Sequence, residues 1–237
     1  MPRRGDGELP EQRALPLVIG HQSHDERLPG GRIGIRGPSA RNGGLGGQAL
    51  CTVRTAKESD SFPSMPRTVI ILRHAEPDVR PGQLPAGWPL STAGRNAASA
   101  IDRDFLRGAF LASSAETKAV ETIGLAAAVE SASIHLDQRF GEVRRPGEPF
   151  DDNHRMRRRA WVEGHFDTRH ETWETPVEAA QRFQSGLDAI DADRVAVATH
   201  GMVLTAWLVS IGHVKAGSAA GEFWACLRFP DMLMVTI

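Results

Sequence analysis

Two short apolar runs constrain this chain more than any other feature. Thr68–Leu72 (TVIIL) and Val195–Thr199 (VAVAT) are rich in β-branched residues, show no polar alternation and are too short for buried helices. Such runs read as strands covered on both faces, the environment of a parallel sheet with helices on each side. The intervening segments fit that reading. Ser91 can cap a helix whose apolar positions Ala97, Ile101 and Phe105 recur at spacing four. Phe110–Ala112 is expected to be a second strand, followed by a helix opening at Ser113–Ser114 and running to Ala128, with a weaker strand at Ser133–Leu136. Thr175-Pro176-Val177-Glu178 combines a capping box with proline at the first helical position. Val177, Ala180, Phe183, Leu187 and Ile190 then form one helical face. An apolar helix over Gly201–Ile211 and a closing strand over Met232–Ile237 complete the alternation. The expected fold is α/β, a three-layer sandwich whose mainly parallel central sheet is flanked by helices.

Composition divides the chain unevenly. Residues 1–66 hold 11 of the 24 glycines and 7 of the 15 prolines, and Leu28–Gly47 shows neither a strand nor a helix period. Such a segment buries too little apolar surface to offset its chain entropy. Residues 1–66 are therefore expected to be a disordered N-terminal tail, or a mis-called extension with Met65 as the natural start. Residues 67–237 are expected to form one domain of 171 residues.

Charge and residue usage exclude several functional classes. The 28 basic and 29 acidic side chains leave no polybasic surface, and the chain has no tyrosine and only scattered tryptophans. Nucleic-acid binding is not expected. Cys51 and Cys226 make no disulfide framework and fit a reduced compartment. Cys226, within FWACLRF, reads as a buried small hydrophobe. The opening MPRRGDGELPEQ is too polar for a signal peptide, and the apolar run near Met202–Ile211 is half a membrane span. A soluble, cytoplasmic protein with no membrane partner is expected.

The two apolar strands end alike, one in Arg73-His74 and the other in His200-Gly201. Ligands in open α/β sheets gather beyond the carboxyl ends of the strands, where helix N-termini offer free N–H groups. His74, His200 and Glu142 can be offered as a metal-binding set. Arg73 argues against that, because a permanent cation beside His74 repels a divalent ion and favours an anion. The pattern favours an oxyanion pocket with a histidine nucleophile and no metal. Helical side chains lean toward the N-terminus, so Lys118, on the second turn of its helix, can reach back to the pocket. The competing reading is a solvated surface lysine.

These residues resemble the histidine phosphatase superfamily, the phosphoglycerate mutase-like proteins. LRHAEP at Leu72–Pro77 is similar to its Arg-His-Gly-Glu signature, and Pro89–Gly94 to its Pro-Leu-Thr-x-x-Gly helix start. Leu111–Thr122 resembles its Ser-Ser-x-x-x-Arg-Ala-x-x-Thr segment, and Phe140-Gly141-Glu142 its acidic loop. Glu174-Thr175 and VATHGMV at Val197–Val203 resemble its remaining motifs. The resemblance implies that His74 becomes a phosphohistidine, and that Arg73, Lys118, His200 and the Gly201 region hold the phosphoryl oxygens. It further implies that Glu142 protonates the leaving oxygen and then activates water, with no metal and no cofactor. Two positions depart from the pattern. Ala75 stands where glycine is commonest, and Lys118 stands where arginine is usual, which removes a planar two-pronged grip on phosphate.

The 171-residue domain lacks the longer insertions of the mutases, so hydrolysis of a small phosphomonoester is expected over transfer. The alternatives are mutase-type phosphoryl transfer, a phosphatase acting on a phosphohistidine protein, and a non-catalytic phosphate-binding module. Arg144 and Arg145, in a cluster with Arg155, Arg157, Arg158 and Arg159, are candidate contacts for a distal anionic group. Asp151, Asp152, Glu163 and Asp167 are near enough in sequence to neutralise them.

Overall fold

The computed structural model of the 237-residue chain describes residues 66–237 and the backbone of Leu17–Ile19. The expectation for residues 1–66 therefore falls, apart from Leu17–Ile19 and Pro66, outside the described residues. The strands are β1 (Leu17–Ile19), β2 (Thr68–Arg73), β3 (Phe110–Ser113), β4 (His135–Leu136), β5 (Arg194–Thr199) and β6 (Asp231–Thr236). The helices are α1 (Thr92–Ser99), α2 (Thr117–Ala127), α3 (His154–Glu163), α4 (Pro176–Asp188), α5 (Gly201–Ser210) and α6 (Ser218–Cys226). The sheet order is β1-β6-β2-β5-β3-β4. β2, β5, β3 and β4 run parallel, whereas β6 is antiparallel to β2, and β1 pairs parallel with β6.

The apolar runs are central because both of their faces are covered. Ile70, Leu72, Ala196 and Ala198 pack with Ala119, Ile123 and Ala126 of α2 on one side. Val69, Ile71, Val195 and Val197 pack on the other side with Phe183 and Leu187 of α4 and Trp207 of α5. Alternate residues thus enter opposite cores, which makes the three layers. Each large aliphatic side chain buried this way contributes about 1.5–3 kcal/mol, so the central strands form a rigid base for the residues at their carboxyl ends.

Several element boundaries differ from the periodicity. Ser91 does cap α1, its Oγ accepting the Gly94 N–H at 2.9 Å. The helix nevertheless stops at Ser99, and Phe105 lies in a separate 3-10 turn, Arg103–Leu106, that Asp102 caps through the Asp104 N–H. α2 begins only at Thr117, because Ser113 is still in β3 and the Ser114 N–H donates to the Ala198 carbonyl. The Thr175 capping box is formed, but Val177 at the start of α4 is 64% exposed while Ala180, Phe183, Leu187 and Ile190 are buried. α3 and α6 were not expected. The arginine run masks the inward face of α3, which is only Arg157 and Trp161. In α6 the inward positions are Ala220, Gly221 and Trp224, so Cys226 faces outward and is exposed rather than buried. Among the described residues no helix is long and apolar enough to cross a membrane.

Candidate active site

β2 and β5 lie side by side in parallel register, Arg73 opposite Thr199. The next residue of each strand is a histidine, so both imidazoles leave the sheet at one edge. The His74 N–H donates to the Thr199 carbonyl at 3.0 Å. The two rings sit with centroids 5.1 Å apart, and both residues are buried.

His74 has its proton placed by its neighbour. Its Nδ1 is 2.8 Å from the Ala75 carbonyl, which only accepts, so Nδ1 carries the hydrogen and Nε2 keeps its lone pair. Burial, followed by the nearby His200 and Lys118, holds the ring well below its ordinary pKa despite the opposing carbonyl. At neutral pH His74 is an uncharged nitrogen base. The Ala75 N–H donates to Thr122 Oγ1 at 2.9 Å, and the Ala75 methyl is fully buried.

Arg73 borders the same space. Nη1 donates to the Leu227 carbonyl at 2.6 Å, and Cζ lies 3.7 Å from the centroid of the Phe229 ring. The Phe229 ring also stands 5.2 Å from that of His74. Burial draws Arg73 down to about 10, so it remains cationic at neutral pH. Its Nε is buried and finds no partner among the described residues. A Cβ on Gly201 would come within 3.4 Å of this guanidinium and 3.1 Å of Trp224 Nε1, so glycine permits the close approach.

The end of β3 and the start of α2 bring further groups. His200 Nε2 lies 2.9 Å from Ser114 Oγ and 3.2 Å from Glu116 Oε1, while its Nδ1 is buried with no partner among the described residues. Lys118 does reach back: it is buried, and Nζ donates to the Pro85 carbonyl at 2.9 Å and to the Glu116 carboxylate. Burial would raise Glu116, but His200 and Lys118 outweigh it and hold the carboxyl well below the usual range.

Glu142 comes from the loop after β4 and serves α5 as a cap. Its carboxylate accepts N–H groups from Val203 (3.1 Å), Met202 (3.4 Å) and its neighbour Val143 (2.9 Å). The free donors expected at this helix N-terminus are thus partly taken. Burial pushes Glu142 up, yet Arg145, His200 and the Val143 N–H leave it below its ordinary value. It is ionised at neutral pH.

Of the distal arginines, Arg144 pairs with Glu174, Arg145 and Arg158 with Glu148, Arg157 with Asp151, and Arg159 with Glu163. Arg155, from α3, has no carboxylate partner among the described residues; it lies over Trp224 and its charge is felt at Arg73. Glu116 and Phe229 were missed by sequence reasoning. Glu116 sits inside a recognised segment but reads there as an ordinary helix-start acid, and Phe229 reaches the site only through a return of the chain before β6. Among the described residues no group of three or more His, Cys, Asp or Glu side chains is arranged to hold a metal ion.

The burial of His200 has a consequence for stability. Burial lowers its pKa to about 4, with Glu116 and Glu142 opposing and Lys118 and Arg145 reinforcing. As pH falls from the ordinary value of 6.5 toward 4, the unfolded chain binds a proton that the folded chain refuses. Stability is therefore full above that window and is lost as pH drops through it, by at most about 3 kcal/mol at about 1.4 kcal/mol per pKa unit. The melting temperature should fall between about pH 7 and about pH 4.5, and fall less in His200→Asn. Parallel slopes for the two proteins would refute this assignment.

Comparison with known proteins identifies the family and the fold. The family model described as histidine phosphatase superfamily (branch 1) matches residues 69–220. A search of curated proteins finds no significant match. Among solved structures, a mycobacterial glucosyl-3-phosphoglycerate phosphatase is 18% identical with a TM-score of 0.52, covering 72% of this chain and 90% of its own. A phosphoserine phosphatase from Entamoeba histolytica is 12% identical with a TM-score of 0.51, covering 71% and 89%. A phosphoglycerate mutase from Bacillus anthracis is 14% identical with a TM-score of 0.51, covering 73% and 88%. At these identities the structures establish the shared fold, and the family model covers well over half of the chain. The chain belongs to the histidine phosphatase superfamily.

Proposed function

We propose that this protein hydrolyses a phosphomonoester through a phosphohistidine on His74, without a metal. The observation that supports this most is one cleft holding an open Nε2 lone pair on His74 beside two buried, unpartnered nitrogens, Arg73 Nε and His200 Nδ1. A buried polar atom without a partner is costly; phosphoryl oxygens would accept from Arg73 Nε directly, and from His200 Nδ1 once that nitrogen takes up a proton on binding. His74 Nε2 attacks phosphorus in line, and the ester P–O bond breaks with its electron pair on the alcohol oxygen. Glu142 is ionised in the free protein. The charge of a bound phosphoryl group raises its pKa, so it takes up a solvent proton and passes it to the leaving oxygen. It then draws a proton from the water that attacks phosphorus, the P–N bond breaks, and orthophosphate leaves a neutral His74.

Arg155 favours a substrate with a second anionic group, since its charge has no carboxylate partner among the described residues. The test is hydrolysis of p-nitrophenyl phosphate, and of phosphomonoesters with and without a carboxylate, in the presence of EDTA. We expect turnover unaffected by chelation and a lower KM for the carboxylate-bearing esters. Arg155→Ala should raise that KM by up to about fivefold, since an exposed ionic contact is worth at most about 1 kcal/mol. Loss of activity in EDTA would refute the metal-free reading. Phosphate binding without turnover would identify a binding module instead.

A further inference from the structure

We propose that Glu116 is a positioning residue that fixes the proton of His200 on Nε2, leaving Nδ1 as the atom that meets the phosphoryl group. The proposal rests on the phosphatase reading for its catalytic consequence, but its structural part stands apart from it. Glu116 occupies the N-cap position of α2, yet its side chain makes no capping bond. The carboxylate is instead turned into the cleft. Oε1 lies 3.2 Å from His200 Nε2 and accepts the Glu142 N–H at 3.1 Å, while the other oxygen holds Lys118 Nζ.

An ionised carboxylate can only accept hydrogen bonds. A lone pair on His200 Nε2 facing that oxygen would be repelled, whereas an N–H is attracted. Ser114 Oγ, 2.9 Å from the same nitrogen and already accepting the Glu116 N–H at 3.2 Å, has a second lone pair for a shared bond. A neutral imidazole carries one hydrogen, so Nδ1 is left with its lone pair, buried and unpartnered among the described residues. When a phosphoryl dianion binds, Nδ1 takes up a solvent proton and donates it as a hydrogen bond. Glu116, behind the ring, stabilises the resulting imidazolium. The other charged groups around His200 are Glu142, which favours the imidazolium, and Lys118 and Arg145, which oppose it; His74 adjoins the ring. Glu116 also anchors the lysine that replaces the usual arginine, so one carboxylate orients two of the groups facing the substrate.

Ring ¹⁵N spectra of the full chain, with His200 assigned by its loss in His200→Asn, test the first part. The wild type should show a protonated Nε2 and an unprotonated Nδ1, and Glu116→Ala should populate the other tautomer, since the Ser114 hydroxyl is then free to donate to Nε2. A wild-type ring protonated on Nδ1, or an unchanged tautomer in Glu116→Ala, would overturn the proposal. The second part is read in Glu116→Gln, which keeps the shape and removes the charge. Its kcat should fall roughly ten- to a hundredfold, no more than the lower end of a direct proton-transfer contribution because Glu116 acts through His200, with the alkaline limb of the kcat profile moved to lower pH. A fall of the same size at every pH would overturn the role assigned to the charge. If the wild type fails to hydrolyse any ester, the phosphatase reading fails, and the ring spectra still decide the tautomer.

Discussion

His74→Ala should lose p-nitrophenyl phosphate hydrolysis by at least about a thousandfold, because the substitution removes the attacking atom and not merely a contact. The other groups of the cleft stay in place. Arg73 is held by the Leu227 carbonyl and the Phe229 ring, and His200 by Ser114 and Glu116, none of which depends on the His74 side chain. Phosphate affinity should therefore survive. Orthophosphate should still inhibit in competition assays on residual activity, or still raise the melting temperature if no activity remains. The fold should survive as well, since the ring's one hydrogen bond is to the adjacent Ala75 carbonyl and its removal leaves no buried partner from elsewhere in the chain unpaired. Circular dichroism with a melting curve checks this. A variant that is folded and turns over at the wild-type rate would show that the nucleophile lies elsewhere.

Local pattern carried much of this architecture. TVIIL and VAVAT are strands with both faces buried, and the Thr175 capping box starts a helix where the residues indicated. Lys118 does reach the cleft, as helical side-chain direction allows, but from the first turn of α2 rather than the second, because the helix starts at Thr117. Local pattern failed where competing chemistry is short-ranged. Asp102 captures the Asp104 N–H and starts a new turn, so the spacing of Ala97, Ile101 and Phe105 does not make one helix. It failed again in α3, where arginines that pair with carboxylates conceal a single inward tryptophan.

The site was legible only in part, and for a topological reason. That both histidines end apolar strands is a local fact; that β2 and β5 are neighbours is not, because the two strands are far apart in sequence and β5 inserts between β2 and β3. The rule that ligands gather beyond the carboxyl ends of parallel strands put both histidines at one edge, and the family motifs then implied a shared site. They could not supply Glu116, because its role arises from where its carboxylate turns, and the family pattern leaves that position open. Phe229 is beyond such reasoning too, since it belongs to the loop that leads into β6, the strand antiparallel to β2. Residues that act by facing something distant leave no period in the sequence.

Gly94→Ala should be the most damaging of the small substitutions, although it lies outside the cleft. A Cβ at this position would sit 2.2 Å from the Glu76 carbonyl oxygen and within about 3.1 Å of two further backbone atoms of Glu76. Those are main-chain atoms and cannot rotate away. The same carbonyl accepts the Ser91 N–H at 2.9 Å, and Ser91 Oγ both accepts the Gly94 N–H and donates to the Glu76 carboxylate at 3.0 Å. The start of α1 is therefore clamped on the chain two residues after His74, and relief of the clash must pull one from the other. Overpacking costs about 1–3 kcal/mol and the broken clamp adds to it. A loss near 3 kcal/mol lowers the melting temperature by roughly 6–12 °C in a domain of this size. Displacing His74 by about 1 Å should also cost on the order of a hundredfold in kcat/KM, because in-line attack tolerates little misplacement. Gly87→Ala is the control: apart from its chain neighbours, no atom of the described residues lies within 4 Å of the added methyl, so neither its melting temperature nor its activity should move measurably. Gly94→Ala melting with the wild type would mean that the loop after His74 yields freely, and the nucleophile would then be held by its Ala75 and Thr199 hydrogen bonds rather than by α1.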